Sequence, residues 1–287
     1  MVMQIRLDTV TADYRVGPIR SPKILNAVST TVKSKSFSAV VGHTGSGKSS
    51  LLKLTNGLLL PTSGQVEIGD HIIKSENPKK SVKAARKKVG MVFQFPESQL
   101  FAETVEKDII FGPLNFGMSV EEAKVIAKEV IVQVGLEVSI LKKSPFSLSG
   151  GQKRRVAIAG ILAMNPDILV LDEPGAGLDP KGKKEIMSLI RSWHEEKGLT
   201  TIFVTHDMDD VALYADEVIV MEKGSIAFQG TVRDAFRDAD RVRNWHLELP
   251  EARRFQLKLE KEKAVSLPRV CLTLNELADV LIEVGLA

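Results

Sequence analysis

Cysteine is nearly absent from this chain: Cys271 is the only one among 287 residues. A single thiol excludes an internal disulfide and fits a reducing compartment. It lies in the apolar run Val270-Cys271-Leu272, the setting of a small buried hydrophobe rather than a reactive thiol. Long apolar runs are missing too. Nothing approaches the roughly 18 consecutive apolar residues of a membrane span. The opening Met1-Val2-Met3-Gln4-Ile5-Arg6-Leu7-Asp8 lacks the basic-then-apolar layout of a signal peptide and alternates as a strand does. Together these absences predict a cytosolic protein able to dock on a membrane protein. No sign of charge dominates either, with Lys+Arg 39 against Asp+Glu 36. A pI of about 8.8 permits contact with anionic surfaces without requiring it. The most basic run, Lys79 to Lys88, has no interleaved aromatics, so it reads as a solvated face and not as a nucleic-acid groove. The length suffices for one large domain plus a small one.

What is present is organised around Gly42-His43-Thr44-Gly45-Ser46-Gly47-Lys48-Ser49, which fits the phosphate-loop pattern G-x-x-x-x-G-K-[ST]. The pattern has meaning only between a strand and a helix. Ser38-Ala39-Val40-Val41 supplies the strand, and Ser50 to Asn56 supplies the helical pattern. The glycines let successive N–H groups point at phosphate oxygens, and the helix adds its positive dipole end. Lys48 is expected at the β- and γ-phosphates, and the Ser49 hydroxyl on Mg²⁺. A nucleoside triphosphate is the expected ligand.

Residues 3–41 read as an antiparallel β region broken by turns at Gly17-Pro18 and Ser21-Pro22. Tyr14, one of two tyrosines, stands upstream of the phosphate loop, where its ring suits either adenine stacking or ordinary packing. Gln65 to Asp70 alternates as a further strand, and Val89 to Phe93 as a buried one that ends at Gln94. The next stretch, Gln94-Phe95-Pro96-Glu97-Ser98-Gln99-Leu100-Phe101, has no clean period. It suits a docking surface, with core packing of Phe95 and Phe101 as the alternative. Residues 119–134 predict an amphipathic helix with Ser119 as N-cap and Val125, Ile126, Val130 and Val134 along one side.

A second block begins at Leu148-Ser149-Gly150-Gly151-Gln152, which opens a helix with Ser149 as its cap. One phosphate loop already serves one nucleotide. A second anion-ready helix terminus therefore suggests a nucleotide held by another copy or a partner, with a plain helix cap as the alternative. Ile168-Leu169-Val170-Leu171 reads as a strand buried on both faces and ends in Asp172-Glu173-Pro174. Carboxylates at the carboxyl end of such a strand lie where open α/β sheets bind ligands. Asp172 is suited to Mg²⁺, and Glu173 to taking a proton from an attacking water. Gly177-Leu178-Asp179-Pro180 starts another helix, and the strand Thr200 to Thr205 ends at His206, within reach of a γ-phosphate.

These blocks, in this order, resemble the ATPase subunits of ABC transporters over about residues 1–235. The resemblance implies an α/β P-loop NTPase with an antiparallel β subdomain, a helical subdomain at about 95–165, and a small extension at 236–287. It implies that Tyr14 stacks on adenine and that Gly42 to Ser50 form the Walker A loop. Gln94 then senses Mg²⁺ and the γ-phosphate, Asp172 and Glu173 are the Walker B aspartate and the catalytic base, and His206 is the switch histidine. Ser149, Gly150, Gly151 and Gln152 are the signature that closes over the partner's ATP, and Asp179 communicates across the dimer. Gly175 departs from the pattern, because threonine is common there. Altered local stiffness with retained chemistry is the expectation.

A finer likeness is to energy-coupling factor (ECF) importers of vitamins and metals. It rests on Phe93-Gln94-Phe95-Pro96-Glu97 and Phe111-Gly112-Pro113-Leu114-Asn115-Phe116-Gly117, which are similar to the second, A-prime type of ATPase. That likeness implies a heterodimer of two ATPases, with cobalt-type homodimers as the alternative. It also implies a membrane T component, indirectly a substrate-binding S component, and a place on the cytoplasmic face of the membrane. Glu97, with Leu100 and Phe101, is implied to meet an arginine on a T-component helix. The extension, with a capping box at Thr273-Leu274-Asn275-Glu276 and an apolar series Leu277, Val280, Leu281 and Val284, resembles the family's dimerisation element. It is too short to bury a core alone and is expected to pack on the main domain or a partner. Alternatives are a conventional or cobalt/nickel ABC importer and, more remotely, a soluble ABC ATPase acting on ribosomes or DNA. Against action on DNA, only about a hundred residues without sustained heptads separate phosphate loop and signature; against action on ribosomes, the chain shows one phosphate loop and one signature.

Overall fold

Alternating apolar strands build two sheets, and the phosphate-loop strand lies in the larger one. A computed structural model describes residues 3–16, 19–20, 24–76 and 78–286. Met1, Val2 and the expected turns at Gly17-Pro18 and Ser21-Pro22 lie outside the described residues. The larger sheet runs in the order Ser225–Thr231, Glu217–Glu222, Phe37–Val41, Thr200–Val204, Ile168–Asp172, Val89–Val92. Its first pair is antiparallel and its other neighbours are parallel. Parallel pairing sends the loops after Val41, Val92, Asp172 and Val204 to one edge, the edge at which such sheets bind ligands.

The apolar run of each central strand has a direct cause. Successive side chains point to opposite faces, and here both faces are buried. Ile168 and Val170 enter one core while Leu169 and Leu171 enter the other. Ile202 and Val204 oppose Phe203 in the same way, and Ile219 and Met221 oppose Val218 and Val220. The first of these cores is closed by the phosphate-loop helix Lys48–Thr55 and an antiparallel sheet, ordered Leu25–Val32, Ile5–Ala12, Ser63–Ile68, His71–Ile73. The second is closed by helices, chiefly Val105–Asn115, Val120–Gln133, Gly150–Leu162 and Pro180–Lys197. Among the described residues, no helix is long and apolar enough to cross a membrane.

Ser119 caps the Val120–Gln133 helix in a reciprocal box with Glu122. The buried face differs from the sequence expectation: it carries Ala123, Ala127, Val130 and Ile131, and continues to Val134, while Val125 is exposed. Two positions turn a helix by about 200°, which puts Val125 opposite Ala123. The helix Val232–Arg237 runs through the boundary expected at 235/236. Beyond it, Phe236, Val242, Trp245 and Leu272 join the helix-side core. Ala252, Leu267, Cys271, Leu277 and Val280 form a further small cluster within the extension itself. Buried Gln256 makes that cluster self-consistent, since it donates to Arg269 O (2.8 Å) and accepts from Cys271 N (2.8 Å). Val284 is exposed.

Candidate active site

The phosphate loop joins the strand Phe37–Val41 to the helix Lys48–Thr55. Gly42 takes φ 147°, and a Cβ there would lie 2.2 Å from Met221 O, so no other residue fits. Lys48 is buried and donates to Gly42 O (2.7 Å) and His43 O (3.0 Å). Burial lowers its pKa, against the opposing pull of Glu173 and Asp172. Thr44 and Gly45 are exposed, Ser46 is buried, and His43 Nδ1 lies 2.7 Å from Thr44 O. Thr44, Gly45, Gly47, Ser49, Glu173 and His206 border a cavity of about 240 Å³. The Tyr14 hydroxyl reaches Ser50 Oγ (3.3 Å) and accepts from Lys53 Nζ (3.2 Å), whose ammonium also lies 5.4 Å from the ring centroid.

Asp172 ends the strand Ile168–Asp172, and its Oδ1 accepts from Ser49 Oγ at 3.3 Å. A hydroxyl and a carboxylate side by side are the hard oxygen donors that Mg²⁺ takes. No group of three or more His, Cys, Asp or Glu able to hold a metal occurs among the described residues. A cation here would therefore complete its shell with phosphate and water, the ordinary arrangement for Mg²⁺ on a nucleotide.

Glu173 stands in the left-handed region (φ 51°), a conformation that costs a non-glycine residue about 1–3 kcal/mol. Backbone bonds hold it there: Glu173 N donates to Val204 O (3.1 Å), and Ala176 N donates to Glu173 O (3.0 Å). Its Oε2 accepts from Gln94 Nε2 (2.8 Å), and its Oε1 lies 2.7 Å from His206 Nε2. The sheet edge thus gathers Lys48, Ser49, Gln94, Asp172, Glu173 and His206.

Other expected site residues stand apart. Ser149 caps the helix Gly150–Leu162 in a reciprocal box with Gln152. Ser149, Gly150 and Gly151 are exposed, and a Cβ on either glycine would meet nothing within 4 Å. That helix terminus faces open space. Asp179 is exposed and caps Pro180–Lys197 by accepting from Gly182 N at 2.7 Å. Phe101 is exposed and packs edge-on against Phe111 (4.9 Å), beside half-buried Leu100 in a groove of about 380 Å³. Glu97 has a partner within the chain that the sequence did not suggest. Its carboxylate turns inward, with Oε2 3.0 Å from Arg154 Nε and Oε1 3.2 Å from Arg154 Nη2. The Glu97 side chain stays about a quarter exposed, and carboxylate oxygens accept more than one hydrogen bond each, so this pair leaves the expected outward contact open.

Sequence reading missed two cations. Arg154 lies inside the run Lys153-Arg154-Arg155, which has the look of a solvated basic patch. Lys183 pairs with Asp207 (2.5 Å) and Asp210 (2.8 Å), joining the Pro180–Lys197 helix to the loop of His206. Burial opposes its charge, but bonds to the two carboxylates outweigh it and raise its pKa. Burial raises Asp207, and the Lys183 bond overcomes that and leaves it lowered; for Asp210 burial prevails and it is raised. Gly175 belongs to this network. A Cβ there would lie 2.8 Å from Lys183 Cγ, so the missing side chain leaves room for the lysine stem. The one sequence signal was the departure at Gly175 itself.

A family model described as ABC transporter matches residues 25–176. The energy-coupling factor transporter ATP-binding protein EcfA2 of Geobacillus kaustophilus is 53% identical over 279 residues, covering 97% of this chain and 96% of the relative. EcfA2 of Listeria monocytogenes serotype 4b is 50% identical, covering 96% of each. Among solved structures, cbiO1 of Clostridium perfringens, part of the ABC transporter complex cbiONQ, superposes with TM-score 0.73 at 33% identity. It covers 92% of this chain and 98% of that one. The dimeric post-hydrolysis ATP-binding cassette MJ0796, bound to ADP and Pi, gives TM-score 0.70 at 33% identity, covering 80% and 99%.

Proposed function

We propose, from the premise that this chain belongs to the ABC transporter ATPases of the energy-coupling factor type, that it energises micronutrient uptake as one of two unlike ATPases beneath a membrane T component. Binding and hydrolysis of ATP follow from the family. The rest of the reading is built on the chain's own geometry.

Triphosphate entering the loop replaces the Gly42 and His43 carbonyls as partners of Lys48. Ser49 and Asp172 would hold Mg²⁺, which offsets phosphate charge when bound. Tyr14 offers its ring to adenine. The observation that carries the reaction is Glu173 held between Gln94 and His206. A γ-phosphate draws the imidazole away and frees Oε1. That oxygen then takes a proton from water as the water oxygen bonds to the γ-phosphorus and the bond to the β–γ bridging oxygen breaks. ADP is the leaving group. Ser149, Gly150 and Gly151, exposed at the helix terminus that Gln152 helps to cap, serve a nucleotide on the partner ATPase, and Asp179 communicates across that junction. Hydrolysis reopens the pair. The groove at Leu100, Phe101 and Phe111 docks the membrane partner and places the chain on the cytoplasmic face. Exposed Leu274 and Ile282 on the last helix offer the extension to the second ATPase.

The test is Glu173→Gln, which keeps both neighbours' geometry and removes the base. Loss of a general base lowers turnover by about 10²–10⁴-fold, with ATP binding retained. Wild-type turnover in the assembled complex would remove Glu173 from this role. The likeness to cbiO1 supports a second reading, a cobalt-type importer built on two copies of this chain. The proteins that purify with the chain decide between the two.

A further inference from the structure

Arg154 is among the largest fully enclosed side chains of the molecule, 2% exposed. It lies one turn inside the helix whose exposed N-terminus carries Ser149 to Gly151. Its guanidinium spans three chain segments. On one side Nε and Nη2 grip Glu97 at 3.0 and 3.2 Å. On the other, Nη1 donates to Ala176 O (2.8 Å) and Pro174 O (3.4 Å), in the loop that follows Glu173. Ala176 N donates in turn to Glu173 O. One planar cation therefore connects the segment 94–101 to the backbone of the catalytic glutamate.

A second contact joins the same two segments. Phe95 is held in a left-handed conformation (φ 55°), and its Cε1 would lie 3.2 Å from a Cβ on Gly177. The two segments thus meet at a cation and at a ring. A guanidinium has a rigid fork that satisfies a carboxylate in two places while leaving N–H groups for carbonyls; an ammonium has no such fork. A fully enclosed charge also cannot lose its partner cheaply, so a shift of Glu97 is carried through Arg154 rather than absorbed locally.

We propose that Arg154 is a positioning residue that makes the Glu97 segment, the Ser149–Gly151 helix terminus and the Pro174–Ala176 loop move as one. It sets where Glu173 stands according to what docks at Leu100 and Phe101. This rests on the reading above that the segment 94–101 meets a membrane partner. Glu97 then transmits inward through Arg154.

The experiment measures ATP turnover of the full ATPase pair, with and without its membrane partner, for wild type, Arg154→Met, Glu97→Gln and the double variant. Each single change is expected to lower the partner-stimulated kcat about 2- to 30-fold, the size of coupling carried by network residues, with KM for ATP unchanged. The double variant is expected to match the more affected single one, because both cut the same link. The exchange Glu97→Arg with Arg154→Glu restores the ion pair but sets a carboxylate against the Pro174 and Ala176 carbonyls, so it is expected not to restore kcat. Losses that multiply in the double variant, full stimulation in either single one, or recovery by the exchange would overturn the proposal. A general structural role would instead lower thermal stability and change stimulated and unstimulated turnover alike. If Arg154→Met does not fold, Arg154→Lys carries the test, expected to fall in the same range because an ammonium cannot span both sides. If wild type shows no stimulation by the membrane partner, the functional reading fails separately. Arg154 is then judged on the pair alone, where a shared loss in single and double variants at unchanged thermal stability supports it, and unchanged turnover or a loss that follows stability refutes it.

Discussion

The carboxyl edge of the large sheet and the helical block make opposite use of their polar groups. At the sheet edge each functional side chain already has a partner within the chain: Lys48 has two carbonyls, Glu173 has Gln94 and His206, and Asp172 has Ser49. In the helical block, Ser149, Gly150 and Gly151 offer a capped helix terminus to open space, and Phe101 and Phe111 stand exposed. The first region holds its polar groups on one another. The second leaves such groups exposed, and the Glu97 carboxylate, through Arg154, connects it to the first. On the proposed reading, one half of each nucleotide site is internal to the chain and the other half comes from the partner ATPase.

The contrast can be broken in graded ways. Glu173→Gln removes chemistry from the internal half and should cost the most turnover, as derived above. Leu171→Ala strikes the strand that carries both carboxylates. Removing a buried leucine side chain costs about 2–5 kcal/mol, so thermal unfolding should show a large fall in stability with turnover per folded molecule retained. Lys183→Met cuts the tie between the Pro180–Lys197 helix and the His206 loop, with an expected loss of about 1.5–3 kcal/mol for hydrogen bonds to charged groups. Asp207 sits below its ordinary value in the native state, so its contribution is present above about pH 4 and is lost as pH falls through the lowered value. Lys183 is raised, so its contribution holds below about pH 10 and is lost as pH rises through the raised value. Denaturant titrations across pH should therefore show wild type and Lys183→Met converging at both extremes. A gap that stays constant would contradict the pairing.

The outward half should respond differently. Ser149→Ala removes a helix cap, worth about 1 kcal/mol, yet should depress turnover of the assembled pair while the chain's own ATP affinity is unchanged. A fall in that affinity would place the signature on the chain's own nucleotide. Phe101→Ser lies at the surface and should shift stability by no more than about 0.5 kcal/mol, while weakening recovery with the membrane partner.

What the sequence made legible follows the same division. The phosphate loop and the run Ile168 to Asp172 were readable because local patterns dictate them: glycines where the backbone demands them, and apolar residues on both faces. Val125 was misplaced because a valine near helical spacing carries no mark of which side is buried; the small residues Ala123 and Ala127 mark the packed side instead. Arg154 was invisible because a charged residue in a basic run looks solvated, and only the fold shows it enclosed. Glu97 was placed by resemblance on a docking surface, and its pairing with that enclosed cation was equally invisible. Gly175 read only as a change in local stiffness, and the fold shows the Lys183 stem in the space it leaves.

The most direct test of the central claim is purification of the tagged chain from detergent-solubilised membranes, with its companions identified by mass spectrometry. The account predicts recovery of a second, non-identical ATPase with a helical membrane protein and small substrate-binding membrane proteins. Recovery of ribosomes or DNA in their place would contradict it.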